Sequence, residues 1–160
     1  MDLDDMWNVH FHDPFDNDWT LKSYHRLMTV STCDDFWTVT DAIGEKILDG
    51  MFFVMREHIF PCWDDPENKE GGCFSIKVPK SHSVMFWQEI CAAVLGETFF
   101  KDVHASKQVN GISISPKRTF CIFKIWMSKE GVALTLKDMN ALPKGYIGDV
   151  IFKSWEFESV

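Results

Sequence analysis

The stretch that most limits how this chain can fold is residues 81–99, "SHSVMFWQEICAAVLGETF", together with what flanks it. Trp87, Ile90, Cys91, Val94 and Leu95 recur at spacings of three and four, so they form one apolar stripe on a helix, and Gly96 marks its end. Immediately before it, "GGCFSIKV" alternates with period two. After it, "NGISIS" and "TFCIFKIWM" read as strands of a hairpin closed by a Pro-Lys-Arg turn. A one-sided helix between alternating strands must be laid on a sheet face to bury its stripe.

The rest of the chain extends this pattern. "YHRLMTVST" and "GMFFVMREHI" have strand character. Between them lies a helix with Ser31 or Thr32 as N-cap, Asp34 and Asp35 in its first turn, and Phe36, Trp37, Val39 and Ile43 as apolar positions. Beyond residue 127 come a polar turn "MSKEG", a short helix "LTLKDMNAL" and a last strand "YIGDVIFKSWEF". At the other end, "MDLDDMWN" is acidic and is expected to be loose over residues 1–10. "NVHFHDPFDNDWTL" is expected to be an irregular lead-in to a strand near Trp19. The fold class is therefore α+β: one domain over residues 11–160, an antiparallel β-sheet backed by helices, with one sheet face free to stay open.

Composition narrows the function. The 160 residues carry a formal charge of −8, which disfavours nonspecific binding to long polyanions, so any nucleic acid bound here has to be held by a pocket. Five cysteines without a C-x-x-C spacing fit reduced thiols in a cytoplasmic protein. Neither a secretory leader nor a membrane-length apolar run is visible, which predicts a soluble protein.

Catalytic and metal chemistry find little support. His10, His12 and Asp13 in "HFHD" have alternate spacing that could bring two imidazoles together, but no third strong ligand motif follows. Cys91 sits in the helix stripe and Cys62 has no placed base, so no nucleophile is set up. A hydrolase of capped nucleotides would need a fuller carboxylate cluster than Asp64 and Asp65 supply. The expectation is a non-enzyme with no catalytic residue, metal or cofactor.

The segment richest in binding chemistry is "FPCWDDPENKEGGCF", residues 60–74. An exposed Trp63 is a stacking plate, best for a flat cationic ring, and the adjacent Asp64 carboxylate can accept two parallel N–H donors such as a guanine edge presents. The alternative is a core tryptophan beneath a loop of solvated turn formers.

This segment resembles the loop of the translation initiation factor 4E family, the cytoplasmic mRNA cap-binding proteins. "HDPFDNDW", "STCDDFW", "FWQEICAAVLGETF" and "NGISISPKRTFCIFKIW" resemble four further blocks of that family in order and spacing. The resemblance implies a curved antiparallel sheet with about three helices on its convex face and a concave slot for the positively charged 7-methylguanosine cap. In this chain it makes Trp63 one stacking ring, Asp64 the guanine reader in place of a glutamate one methylene longer, and Trp126 the contact to the N7-methyl group. Lys117 matches a phosphate-gripping arginine, with Arg118 beside it, and Lys124 could stand in for a second phosphate lysine whose place Ile122 takes. The stretch from Trp19 to Trp37 is shorter than the family's usual pattern, so the second stacking ring has no direct counterpart; Tyr24 is the nearest aromatic, ahead of Trp7 and His25.

The same resemblance implies a dorsal surface on which the helical Tyr-x-x-x-x-Leu segment of a 4G-like scaffold or of a 4E-binding repressor docks. Its residues here would be Pro14, Cys33, Trp37, Gln88 and Glu89, with Gln88 where leucine is usual and Asp13 where histidine is usual. The implied protein is a monomer that binds capped mRNA to promote translation initiation. Its alternatives are a cap-binding repressor or decoy, or a relative that gave up the cap and kept only protein interactions. The substituted contacts suggest a divergent lineage such as a protist or a large DNA virus.

Overall fold

A computed structural model describes residues 1–155. Its strands are β1 (Asp2–His12), β2 (His25–Thr32), β3 (Met51–Arg56), β4 (Gly72–Pro79), β5 (Val109–Pro116), β6 (Phe120–Met127) and β7 (Ile147–Ser154). They form one sheet in the order β2-β1-β3-β5-β6-β4-β7, and every neighbouring pair is antiparallel. Helices α1 (Cys33–Ile43), α2 (Lys80–Leu95) and the four-residue α3 (Val103–Ser106) complete the α+β fold, with α1 and α2 packed on the convex face of the curved sheet.

Alternation sorts side chains onto the two faces. On β1, Trp7 and Val9 point into the helix-backed core, while Asn8, His10 and His12 point the other way. That core also takes Phe36, Val39 and Ile43 of α1, though not Trp37, and Trp87, Ile90, Cys91, Val94 and Leu95 of α2, as the stripe spacing predicts, with Phe86 beside them. Burying each such side chain contributes roughly 1.5–3 kcal/mol, which outweighs the modest helix propensity of these aromatic and branched residues. A second cluster of Phe53, Met55, Ile59, Cys73, Trp126 and Trp155 lies on the concave face. That face is therefore only partly open.

Helix α1 begins where expected. The Thr32 hydroxyl accepts from the Asp35 backbone N–H at 3.0 Å, and the Asp35 carboxylate accepts from the Thr32 N–H at 3.2 Å, a reciprocal capping box. The hydrogen bond from the Ser31 backbone N–H, ahead of those from Thr32 and the Ser31 hydroxyl, holds the Asp35 carboxyl below its ordinary range.

Four expectations are corrected. The acidic N-terminal segment is not loose, so no domain boundary falls at residue 11: it is most of β1, because Trp7 and Val9 are buried and the carboxylates find cations. Asp5 pairs with Arg56 at 3.0 Å and Asp4 with Lys107 at 3.2 Å. Consequently no strand starts near Trp19, which lies instead in the β1–β2 connection. "LTLKDMNAL" forms only a 3-10 turn at Leu136–Asp138, since Asp138 is spent capping Thr135 and Asn140 bonds to Thr98 and Phe100 rather than continuing a helix. The last strand stops at Ser154, and Glu156 and Phe157 of its expected range lie outside the described residues.

Candidate ligand-binding site

The β3–β4 loop, residues 57–71, is rigid for physical reasons. Asn68 is fully buried and donates to the carbonyls of Phe60 and Cys62 at 3.1 and 2.9 Å, while Asn110 of β5 donates to the Asn68 side-chain oxygen at 2.9 Å and so ties the loop to the sheet. Asp65 accepts from the backbone N–H groups of Phe60 and Glu67 at 3.0 and 2.9 Å. Gly71 closes the loop where a Cβ would come within 1.9 Å of the Met127 carbonyl oxygen. Trp63 and Asp64 project from this frame: the indole is 43% exposed, and the exposed Asp64 carboxylate takes no hydrogen bond among the described residues. The two aspartates thus have different work, one building the loop and one facing outward.

Both residues line a cleft of about 600 Å³ on the concave face. Trp126 is its floor, only 4% exposed, its indole N–H donating to the Ser113 hydroxyl at 3.0 Å. Trp155 packs against Trp126 with ring centroids 4.5 Å apart, and Phe53 meets it edge-on at 6.2 Å. Lys117 and Lys124 lie along the same wall, the Lys124 ammonium 5.7 Å from the Trp155 ring, with Ile122 between them in the lining. Arg118 is exposed in the β5–β6 turn and does not line the cleft.

Tyr24 also lines the cleft, but it is enclosed by rings. Its centroid lies 5.0 Å from His12, 5.4 Å from Phe53, 5.9 Å from Phe60 and 6.2 Å from Trp19. Burial pushes its hydroxyl well above the ordinary tyrosine value, followed by the negative potential of Cys62. Trp19, which sequence reasoning did not propose for the site, is 50% exposed and lines the cleft from the β1–β2 loop. Its indole lies parallel to His12 at 3.8 Å, and His12 is itself anchored through Nε2 to the Asp18 carbonyl oxygen at 2.8 Å. In the sequence Trp19 reads as the start of a strand, and no local signal marks it as a loop residue. Lys153 and Trp155 lie in the segment that the sequence marks as the last strand, but no motif there points to the cleft.

Of the remaining candidate aromatics, Trp7 is wholly buried beneath the Arg56 guanidinium, 4.4 Å away, and His25 packs against Phe11 on the edge strand; neither lines the cleft. A second cleft shares Tyr24 with the first, with His10, Arg26, Phe60 and Asp65 among its walls. Burial, and secondarily the Arg26 charge, lowers the His10 pKa to about 4, so the ring is neutral at physiological pH.

On the convex side Trp37 stands 49% exposed on α1, its ring 4.9 Å from Phe36, with Cys33 part-exposed one turn before it. Gln88 is half-buried and Glu89 exposed on α2. Pro14 does not belong with them. It sits in the β1–β2 loop beyond His12, whereas the residue against the start of α1 is Met1, whose carbonyl accepts from the Cys33 N–H at 3.0 Å. The eleven residues of β1 separate the two places by roughly 35 Å.

The family model of eukaryotic initiation factor 4E matches residues 2–144. The chain belongs to the eukaryotic initiation factor 4E family. Among 4E-family relatives it is similar to an initiation factor 4E homolog of Acanthamoeba polyphaga mimivirus, 29% identical over 59% of this chain and 40% of that protein. A Caenorhabditis elegans initiation factor 4E-1 is 33% identical over 50% of this chain and 41% of that one. The matched part thus spans about two-fifths of these relatives' length. Among solved 4E-family structures, a C. elegans eIF4E-3 complexed with the 4E-binding protein Mextli and a cap analog superposes with a TM-score of 0.76 at 15% identity, covering 99% of this chain and 94% of that one. A schistosome eIF4E complexed with m7GpppG and 4E-BP gives 0.71 at 20% identity, covering 91% and 98%. At these identities the likeness shows the shared 4E fold. No helix among the described residues is long and apolar enough to cross a membrane.

Proposed function

We propose that this 4E-family chain is a binding protein, not an enzyme, whose concave cleft takes the 7-methylguanosine cap of mRNA. The observation that carries the reading is the pairing of two half-exposed indoles, Trp63 and Trp19, from two different loops on one cleft, with the unbonded Asp64 carboxylate beside the first. Methylation at N7 makes the base cationic, and a cationic ring gains more between two electron-rich indoles than neutral guanine does. Trp19, rather than the ring-enclosed Tyr24, is the second plate, and Tyr24 braces it. Asp64 accepts the two N–H groups of the guanine edge, the buried Trp126 closes the end that receives the methyl group, and Lys117 and Lys124 hold the phosphates. Arg118 contributes only to the field around them.

The dorsal surface about Trp37, with Cys33, Gln88 and Glu89, is proposed to dock the helical Tyr-x-x-x-x-Leu segment of a 4G-like scaffold, so that a monomer in the cytoplasm delivers capped messages to initiation. The second reading, a cap-binding repressor or decoy, is favoured by one observation: Gln88 puts an amide where the docking helix would press an apolar side chain. Titrating intrinsic tryptophan fluorescence with 7-methylguanosine triphosphate, with GTP as control, tests the cap site. Quenching that is much tighter for the methylated ligand is expected, and equal or absent quenching would remove the reading.

A further inference from the structure

The second cleft, about 600 Å³ in volume, is built around a histidine with nothing to bond to. His10 faces this cleft but is only 4% exposed, and neither Nδ1 nor Nε2 has a hydrogen-bond partner among the described residues. Burial keeps the ring neutral, so it carries one N–H and one lone pair. Whichever nitrogen holds the hydrogen is a buried donor without an acceptor. Buried polar groups are nearly always paired, so this donor calls for an acceptor inside the cleft.

Strand register decides what stands beside it. His10 lies directly opposite Arg26 of β2, and directly paired residues of antiparallel strands project to the same side. Arg26 therefore shares the His10 face, and its charge acts on the ring. The guanidinium makes no hydrogen bond or ion pair among the described residues, although the chain has a net charge of −8 and carboxylates are plentiful. Lys22 adds a second cation to the wall. The acidic members of the wall do not answer these donors: both Asp65 oxygens are occupied by the backbone N–H groups of Phe60 and Glu67, and Glu57 is exposed. Phe60 supplies an apolar plane, its ring centroid 5.5 Å from that of His10 and tilted by 48°. Two unanswered donors converging beside a flat apolar wall, in a cleft of ligand size, define a site for an anion carried on a ring.

We infer that the second cleft binds a small molecule in which an oxyanion, phosphate or carboxylate, is carried on a flat ring: Arg26 and the His10 N–H hold the oxyanion, and the ring lies against Phe60. The inference is independent of the cap reading, because none of His10, Arg26 or Phe60 lines the first cleft. The two sites nevertheless share a wall, since Tyr24 belongs to both and Phe60 precedes Trp63 on the same rigid loop.

The test is an amide-resolved NMR titration of the isotope-labelled chain with phenyl phosphate and with benzoate, beside neutral benzyl alcohol. Saturable shifts of the His10, Arg26 and Phe60 amides are expected with the anionic probes, and the tighter of the two tells a phosphate source from a carboxylate source. Arg26→Gln should weaken that probe about tenfold or more. His10→Phe keeps a ring against Phe60 but removes the donor, and should weaken it about fivefold or more. Melting curves check that both variants are folded, and because Arg26 is exposed, Arg26→Gln keeps the test decisive if His10→Phe melts early. Trp63→Ala, which alters the first cleft alone, should leave the probe's affinity unchanged. Equal affinity for benzyl alcohol, shifts confined to Lys117 and Lys124 in the first cleft, or full affinity in either folded variant would each overturn the inference. Absence of a saturable shift with both anions would leave the cleft to water and overturn it as well.

Discussion

The Arg56 guanidinium and the Glu97 carboxylate meet at 2.6 Å with both side chains buried, joining the end of β3 to the turn after α2. Glu97 holds a φ of +59°, a conformation a side chain rarely adopts, directly after the Gly96 cap of α2. Arg56 also donates to the carbonyls of Val109 and Ser106 and lies over Trp7, so one cation fastens β1, β5 and α3. Glu97→Ala should therefore destabilise the fold by about 3–5 kcal/mol, because it strands a buried charge. Asp5→Ala, which removes the more exposed partner of the same guanidinium, should cost less than about 1 kcal/mol. Urea unfolding of the two variants measures the difference, and similar losses would refute the assigned hierarchy.

That network explains why the N-terminal segment was misread while the rest of the sheet was legible. Period-two alternation in β4, β5 and β6 and the stripe of α2 are local signals, and the structure follows them. The order of Asp4 and Asp5 is set by Lys107 and Arg56, both of which also pair with Glu97; all three lie far along the chain, and nothing near residue 5 announces them. Moving β1 to its true position, Asp2–His12, then frees Trp19 for a loop and sends Pro14 to the far end of the strand. The same shift accounts for both differences at the site. Trp63, Asp64, Trp126, Lys117 and Lys124, the positions to which the family resemblance and strand parity point, line the cleft, whereas Arg118, adjacent to Lys117 in the same turn, does not reach it.

Trp19 and Tyr24 are separable by substitution. Loss of a stacking ring costs roughly 1–3 kcal/mol per base, so Trp19→Ala should weaken binding of 7-methylguanosine triphosphate about tenfold or more. Tyr24→Phe keeps every ring contact and should change affinity less than twofold. A larger effect from Tyr24→Phe than from Trp19→Ala in the fluorescence titration would return the second plate to Tyr24.

Asp64 and Asp65 should divide binding from stability. Asp64→Asn replaces an acceptor with a donor facing the guanine N–H groups and should cut cap affinity while leaving the melting temperature within error. Asp65→Asn weakens the charge-assisted bonds from the Phe60 and Glu67 N–H groups and should lower stability by about 1–2 kcal/mol. Thermal melts beside titrations of both variants decide this, and a stability loss at Asp64 equal to that at Asp65 would mean that both aspartates are structural.

His10 makes stability depend on pH in a defined window. Its pKa is lowered from 6.5 to about 4 in the folded chain, so between those values the unfolded chain binds more protons. Stability must then fall as pH drops from 6.5 towards 4, by at most about 1.4 kcal/mol per pH unit from this group. Carboxylates titrate in the lower part of the same range, so the measurement is the difference between wild type and His10→Phe in urea unfolding at pH 7, 6 and 5. The variant should lose the part of the slope that lies above pH 5, and parallel curves would show that the His10 ring titrates normally.

Trp37 offers the cleanest separation of the two proposed surfaces. Its indole is half exposed on α1, on the face of the sheet opposite the cleft, and meets the core residue Phe36 edge-on. Trp37→Ala should leave stability within about 1 kcal/mol of wild type and cap affinity unchanged. A synthetic Tyr-x-x-x-x-Leu helical peptide should lose at least about 30-fold in affinity, the scale of an interface anchor that fills the centre of its patch. Gln88→Leu restores an apolar neighbour on α2 and should strengthen the same peptide. Peptide affinity is read by calorimetry, and cap affinity by fluorescence on the same preparations. Equal loss of both ligands on Trp37→Ala would make Trp37 a fold residue, while strong cap binding with no peptide binding even for Gln88→Leu would favour the decoy reading over delivery to a scaffold.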